Sequence, residues 1–413
     1  MAEWFGKRDP LPILALVEKN RIVKKDGKPG FKGLSFWIHE IFLYDLVDFH
    51  KSIPETERRR IIGKALFAAG AKGEINEKSL LAEICDLEKE YLKRRPINYV
   101  LTTSISLDNN FPLKKIYINS NKINLTFWLP QKYLKEIRDV FNDAKNSLVS
   151  EPPANYLNCR VYLKAKSHHE VVDESLRNVD IIRGIFNLYY NSRRGWGITS
   201  GIRKPMNTIL LGPLHFVHYP GGKLVEKSWW YERDYRAPIS TLFVNKTDED
   251  KLVKFYRLVR IKLAKHQYRR TMEEIIIRYN RALDEWNWDN SFIKLWNILE
   301  FLTGSVEVNN KKVVDRLLFF SANRKYDSEI LNTLRLHRNS FVHESTTTES
   351  IEAYVYTLKR WVEYMLWFHL VNPCGLKSPA EGVQFFDLPT EKEALRKKMS
   401  FAKYALRLKR ATA

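Results

Sequence analysis

The chain has 413 residues, enough for two or three domains with cores of their own, and its 44% hydrophobic and 13% aromatic content excludes a disordered polymer. Its formal charge of +21, from 69 Lys and Arg against 48 Asp and Glu, favours a polyanionic partner: RNA, DNA or an anionic membrane face, without choosing among them. Three scattered cysteines, Cys85, Cys159 and Cys374, have no CxxC spacing and argue against both a zinc site and a disulfide framework. The first ten residues lack a signal-peptide core, and the densest apolar run, Tyr364 to Val371, is too short to span a bilayer. A soluble, cytoplasmic protein with no membrane partner is expected. The many Trp and Tyr residues offer stacking surfaces for unpaired bases, although most should serve the core.

Residues 1–95 read as a mainly helical region. Lys24 to Gly30 forms an exposed turn, and Ser35 to His50 reads as one strongly apolar helix. His39 and His50 share no helix face and read as packing or surface residues. Pro54-Glu55-Thr56-Glu57 opens a further helix with acids in its first turn, where the dipole favours them, and another runs from about Lys78 to Arg94. The cations Lys93, Arg94 and Arg95 before Pro96 mark a helix C-terminus.

The period then changes, and residues 96–245 read as an α+β domain. Strands are expected at Tyr99–Leu107, Lys115–Ile118, Ile123–Trp128 and Cys159–Ala165, with helices near Gln131–Leu148 and Glu170–Tyr190. His168-His169-Glu170 is not read as a metal site, since adjacent histidines do not easily face one ion. Ser192 to Gly197 suits a nucleotide-contacting loop or a plain solvated turn. Strands are expected again at Thr208–Leu211, Leu214–His218 and Leu224–Tyr231, the last two joined by a turn at Pro220-Gly221-Gly222-Lys223. His215 and His218, of opposite strand parity, read as edge residues.

From Asp248 the pattern is helical. Lys251, Lys254, Arg257, Arg260, Lys262, Lys265, Arg269 and Arg270 follow with no intervening acid, either as a solvated face or as a track for an RNA backbone. Further helices at about 270–284, 289–303, 311–322, 327–345 and 349–370, joined by short links, predict an antiparallel bundle over 246–374. A basic tail, 375–413, ends the chain with Arg396, Lys397, Lys398, Lys403, Arg407, Lys409 and Arg410, as a phosphate clamp or a solvated helix. The expected fold class is therefore an α+β N-terminal region with a C-terminal all-α antiparallel bundle.

One stretch of that bundle carries chemistry. On a wheel turning about 100° per residue, Ile330, Leu331, Leu334, Phe341 and Val342 share an arc, and Arg338 falls inside it. A cation on a face meant for burial costs several kcal/mol unless it is paired. Arg335, Asn339 and His343 follow at i, i+4 and i+8 and form a polar stripe beside Arg338. Guanidinium binds phosphate oxygens by two parallel bonds, and imidazole moves protons near neutrality. The same residues also suit a leucine-packed helix with a structural Arg and a surface His. Upstream, Ser291 to Gly304 is an apolar helix ending on a Gly stop, and its Glu300, among Leu299, Phe301 and Leu302, is placed to pair with Arg338.

The order Leu295-Trp296-x-x-Leu299-Glu300-x-Leu302, then Arg338-Asn339-x-x-x-His343, resembles the HEPN domain (higher eukaryotes and prokaryotes nucleotide-binding), and within it the Apea-like branch found among anti-phage proteins. The resemblance covers about residues 246–373. It implies a HEPN-like bundle and a metal-independent endoribonuclease with no cofactor, in which two bundles pair as a homodimer around a composite cleft. It further implies that Arg338 holds the scissile phosphate, His343 acts as general acid and base, Asn339 orients the imidazole and Glu300 fixes Arg338, with Arg335 beside them on the substrate. Cleavage by the RNA's own 2′-OH would leave a 2′,3′-cyclic phosphate. Kinship also implies anti-phage defence by toxin-like abortive infection, with residues 1–245 receiving a phage or nucleic-acid trigger or selecting the substrate. The rival expectations are a non-catalytic RNA-binding module and an interaction protein whose basic faces meet an acidic partner.

Overall fold

A computed structural model describes the chain except residues 7, 34, 144–152, 197–204, 228, 233–234, 237–245, 307–309, 345–346 and 412–413. Residues 1–93 surround a core of their own, built on Leu43, Ile62, Leu66, Leu80 and Ile84. Strand β1 (Glu3–Trp4) is followed by α1 (Leu11–Lys19), the hairpin β2 (Arg21–Val23) and β3 (Pro29–Phe31), α2 (Ser35–Tyr44), β4 (Val47–Asp48), α3 (Glu55–Lys72) and α4 (Glu77–Lys93). Helix α4 starts in a capping box: the Asn76 side chain accepts from Ser79 N, and Ser79 Oγ accepts from Asn76 N. The buried Glu88 of α4 ties down the chain start, its two oxygens accepting from Ala2 N at 2.7 Å and His50 N at 2.9 Å. The helix expected from Ser35 to His50 stops at Tyr44 instead. Beyond it Val47 and Asp48 pair antiparallel with β1, so the end of that apolar run is strand.

The middle of the chain supplies β5 (Ile97–Ile105), β6 (Lys115–Ile118), β7 (Asn121–Thr126), α5 (Gln131–Asp143), β8 (Leu157–Ala165), α6 (His168–Asn191), β9 (Leu214–His218) and β10 (Trp230–Tyr231). Among the described residues the sheet has six strands in the order β10-β9-β5-β8-β7-β6, each antiparallel to its neighbours. The β6–β7 turn passes through Asn119 and Ser120 with φ of 48° and 69°, the left-handed pair that a two-residue hairpin requires. Strand alternation gives the sheet two unlike faces. Leu101, Val161, Ile123 and their row-mates pack against α6, whereas Thr102, Ser104, Asn158 and Arg160 lie on the face towards α5.

Three expectations fail in this region. Thr208–Leu211 is not a strand; only Leu211 bridges to Ile105. The strand expected over Leu224–Tyr231 contracts to Trp230–Tyr231 plus a bridge from Leu224 to His218. His215 and His218 are not edge residues but buried, because β9 lies between β5 and β10. Their rings meet Thr103 Oγ1 at 2.8 Å and Thr102 Oγ1 at 3.1 Å. The Leu148 end of the helix expected near Gln131–Leu148, Gly197, and the boundary expected near 245 lie outside the described residues.

The remaining helices are α7 (Lys246–Ala264), α8 (Arg269–Leu283), α9 (Trp288–Leu302), α10 (Asn310–Leu317, extended by a 3-10 turn to Phe320), α11 (Arg324–Glu344), α12 (Ile351–Val371), α13 (Gly382–Phe386) and α14 (Lys392–Ala411). A single hydrophobic core runs from Tyr99 on β5 to Phe386 on α13, so the sheet, α6 and helices α7 to α13 are packed into one body. Where α6 crosses α8, Gly184 allows close approach: a Cβ there would lie 2.5 Å from Ile276 Cγ2. The chain is thus mixed α/β, a six-stranded sheet among many helices. No described helix is long and apolar enough to cross a membrane.

Candidate active site

The site is assembled at the C-terminal end of α9. Asn287 caps the start of that helix, accepting from Asp289 N and Asn290 N, and Gly304 ends it in a left-handed conformation with φ of 63°. Arg316 of α10 is buried against the orphan carbonyls of Thr303 and Gly304, donating to each at 2.9 Å, while its other nitrogens reach Asp387. This pins α10 across the end of α9. Asn310, the first residue of α10, thereby comes to rest on Glu300.

Glu300 is largely buried, with 14% of its side chain exposed, and it meets three groups. Trp296 Nε1, one helical turn back, donates to Oε1 at 2.8 Å. Arg338 Nη2 stands 3.6 Å from the same oxygen, an ion pair rather than a tight hydrogen bond. The Asn310 amide satisfies both charges when its Nδ2 donates to Glu300 Oε1 at 2.8 Å and its Oδ1 accepts from Arg338 Nη1 at 3.1 Å. The Asn339 amide meets that of Asn310 at 2.9 Å. Glu300 and Asn310 thus meet a guanidinium that keeps 23% of its surface in solvent, and Trp296 and Asn339 hold those two in turn.

Helix α11 carries the remaining candidates. Leu331 and Leu334 are buried, and Ile330 and Phe341 are half-buried, but Val342 is 49% exposed. The apolar arc expected to be buried throughout is therefore covered only along its first half. Arg335 bonds within its own helix, its Nε donating to Asn332 Oδ1 at 3.3 Å. His343 is exposed and has no hydrogen bond or ion pair among the described residues. Five residues separate it from Arg338, about 7.5 Å along the axis and about 140° around it, so within one chain these two side chains share a helix but not a contact.

Of the expected set, the structure brings together Glu300, Arg338 and Asn339. It does not join Asn339 to His343: the amide engages Asn310 instead. No family model, curated protein or solved structure matches the chain.

Three neighbours escape sequence reasoning. Trp296 was visible in principle, because a position at i−4 from Glu300 lies on the same helix face. Asn310 follows a turn and has no signal of its own. His337 packs edge-on to Phe292 and Tyr354, with ring centroids 4.9 and 5.3 Å away, and burial pushes its pKa down. Its Nε2 is buried without a hydrogen-bond partner. Elsewhere, His168 Nε2 lies 3.0 Å from Glu226 and stacks obliquely on His169. Of the cations on and after α7, Arg260 donates to Tyr117 O and Arg269 to Glu273, whereas Lys251, Lys254, Arg257 and Lys265 stand in solvent.

Chemically, a paired, immobilised guanidinium beside two amides is an anion holder. The nitrogen of Arg338 not engaged by Glu300 or Asn310, Nε, has no partner among the described residues. The chain's formal charge of +21 favours anions in general and does not choose a phosphate over a carboxylate.

Proposed function

We propose that the chain is a HEPN-type endoribonuclease that cleaves RNA by attack of the 2′-OH, without a metal, and that it acts in anti-phage defence as a toxin-like abortive-infection protein. The observation that carries this reading is the Glu300–Asn310–Arg338–Asn339 cluster on a helix that also presents a solvent-facing His343. Arg338 holds the scissile phosphate and offsets the charge that builds on it. His343 takes the 2′-OH proton or delivers one to the 5′-oxygen leaving group. Because Arg338 and His343 of one chain point to different sides of α11, the reading places the cleft between two copies. Leu336, Phe341 and Val342, left partly exposed on the last turns of α11, supply apolar surface for that pairing. The cytoplasm is the expected compartment, and residues 1–245 are the proposed receiver of the trigger.

A second reading, a non-catalytic HEPN-like RNA-binding module, is favoured by one contact: Asn339 bonds Asn310 and not the imidazole it was expected to orient. Induced expression in a bacterial host separates the two. Growth arrest by the wild type that His343→Ala relieves, at equal soluble protein, supports the nuclease. Equal arrest by wild type and His343→Ala supports the module.

A further inference from the structure

Between α5 and the polar face of the sheet lies a cavity of about 420 Å³, a size that small-molecule sites commonly have. All its lining residues fall between 102 and 216, so it is separate from the Arg338 cluster. Its floor is Thr102 and Ser104 on β5 with Asn158 on β8, and its walls include Leu134 of α5 and Phe216 of β9. Arg138, an exposed residue of α5, stands at the rim, and no carboxylate is among the described lining residues.

The floor has a definite hydrogen-bonding sense. His218 Nδ1 must donate to Gly222 O, 2.8 Å away, so its Nε2 accepts and Thr102 Oγ1 spends its proton there. Thr102 is left with acceptor capacity only. Asn158 Nδ2 donates one of its two N–H groups to Phe127 O at 2.7 Å, which leaves its Oδ1 as an acceptor and its second N–H as a donor. Ser104 Oγ is buried with no partner among the described residues and can both donate and accept. Two acceptors, one amide donor and one hydroxyl, in a slot walled by an aromatic ring and a leucine, match the edge of a flat heterocycle that bears an amino group next to a ring acceptor. An acyl chain would leave these polar groups unpaired, and a sugar would leave the walls unmatched. A guanidinium at the rim, with no ion pair to an acid among the described residues, suits a phosphate.

We infer that this cavity binds a nucleoside monophosphate with an amino-bearing base, the base on the Thr102–Ser104–Asn158 floor and the phosphate at Arg138. The site is independent of the nuclease reading. Calorimetric titration of the full chain with AMP, GMP and CMP tests it, with ribose 5-phosphate as the baseless control. At least one of the three binds with a Kd below about 1 mM, and ribose 5-phosphate binds at least about tenfold more weakly. Arg138→Ala, at an exposed position, weakens the nucleotide about tenfold, and Ala154→Trp, also exposed and on the lining, abolishes binding. Arg338→Ala leaves it unchanged, which separates this site from the proposed cleft. The inference is overturned if none of the three nucleotides binds at about 1 mM, if ribose 5-phosphate binds as well as they do, or if binding survives Ala154→Trp.

Discussion

Glu300 Oε1 faces Arg338 Nη2 at 3.6 Å, across from a Trp296 indole that donates to the same oxygen at 2.8 Å. The carboxylate serves these two and the Asn310 amide, and only Arg338 needs its charge. Glu300→Gln keeps an acceptor for Trp296 but removes the anion that holds the guanidinium. Under the proposed function RNA cleavage falls about ten- to a hundredfold, as a small misplacement of a phosphate-holding group does, while the melting temperature changes little. Cleavage rate and thermal unfolding measured on the same preparations check this; an unaltered rate means that Glu300 does not position Arg338.

Arg183 of α6 is wholly buried and donates to Asp180 at 2.5 Å, to Asp284 at 2.9 Å and to the carbonyl of Ile209 at 3.0 Å. It knots α6 to α8 and to the segment before β9. Arg183→Ala leaves Asp284 without its cation and Asp180 with Arg281 alone, 2.6 Å away, and a broken buried pair costs about 3–5 kcal/mol. Urea unfolding followed by circular dichroism should show a loss of that order.

At Gly184 two effects oppose each other. An exposed helical Gly→Ala change gains about 1 kcal/mol in propensity. Here the new Cβ would lie 2.5 Å from Ile276 Cγ2 and 2.9 Å from the Ile276 carbonyl oxygen, and overpacking of that kind costs about 1–3 kcal/mol. Since the obstacle includes backbone, the clash wins. Gly184→Ala lowers the midpoint of urea unfolding.

His218 and His369 are both pushed down to about 4 by burial. His369 is locked neutral between the Tyr268 hydroxyl and the Leu302 carbonyl, each 2.8 Å away. A histidine with a depressed folded pKa binds its proton more readily in the unfolded chain, whose imidazoles titrate near 6.5. Its contribution is complete above about pH 6.5 and declines as pH falls towards 4, by roughly 3 kcal/mol per ring at most. The melting temperature should thus drop between pH 6.5 and 4, and His369→Gln should flatten part of that slope. Thermal unfolding across this range checks the sign.

The long periodic segments were the legible part of the fold, because a helix of fifteen or more residues repeats its apolar face often enough to fix its type. The pairing of Glu300 with Arg338 was legible for a related reason: a carboxylate and a cation, each on an apolar face, call for one another. Short apolar runs were not decidable. Thr208–Leu211 satisfies its backbone through side chains, Ile209 N donating to Asn187 Oδ1 and Leu210 N to Ser106 Oγ, where a strand would use a ladder. The run after Tyr44 turns from helix to strand because β1, over forty residues earlier in the chain, is there to pair with it. Asn310 owes its place to Arg316 gripping the end of α9, a tertiary contact with no local trace.

The most direct test incubates the purified protein with end-labelled RNA in EDTA, alongside Arg338→Ala, His343→Ala and an RNA carrying 2′-deoxy residues. The account predicts cleavage to a 2′,3′-cyclic phosphate by the wild type, loss in both folded variants, and no cut at deoxy positions. Cleavage that persists in both variants, or that proceeds equally at deoxy positions, would contradict it.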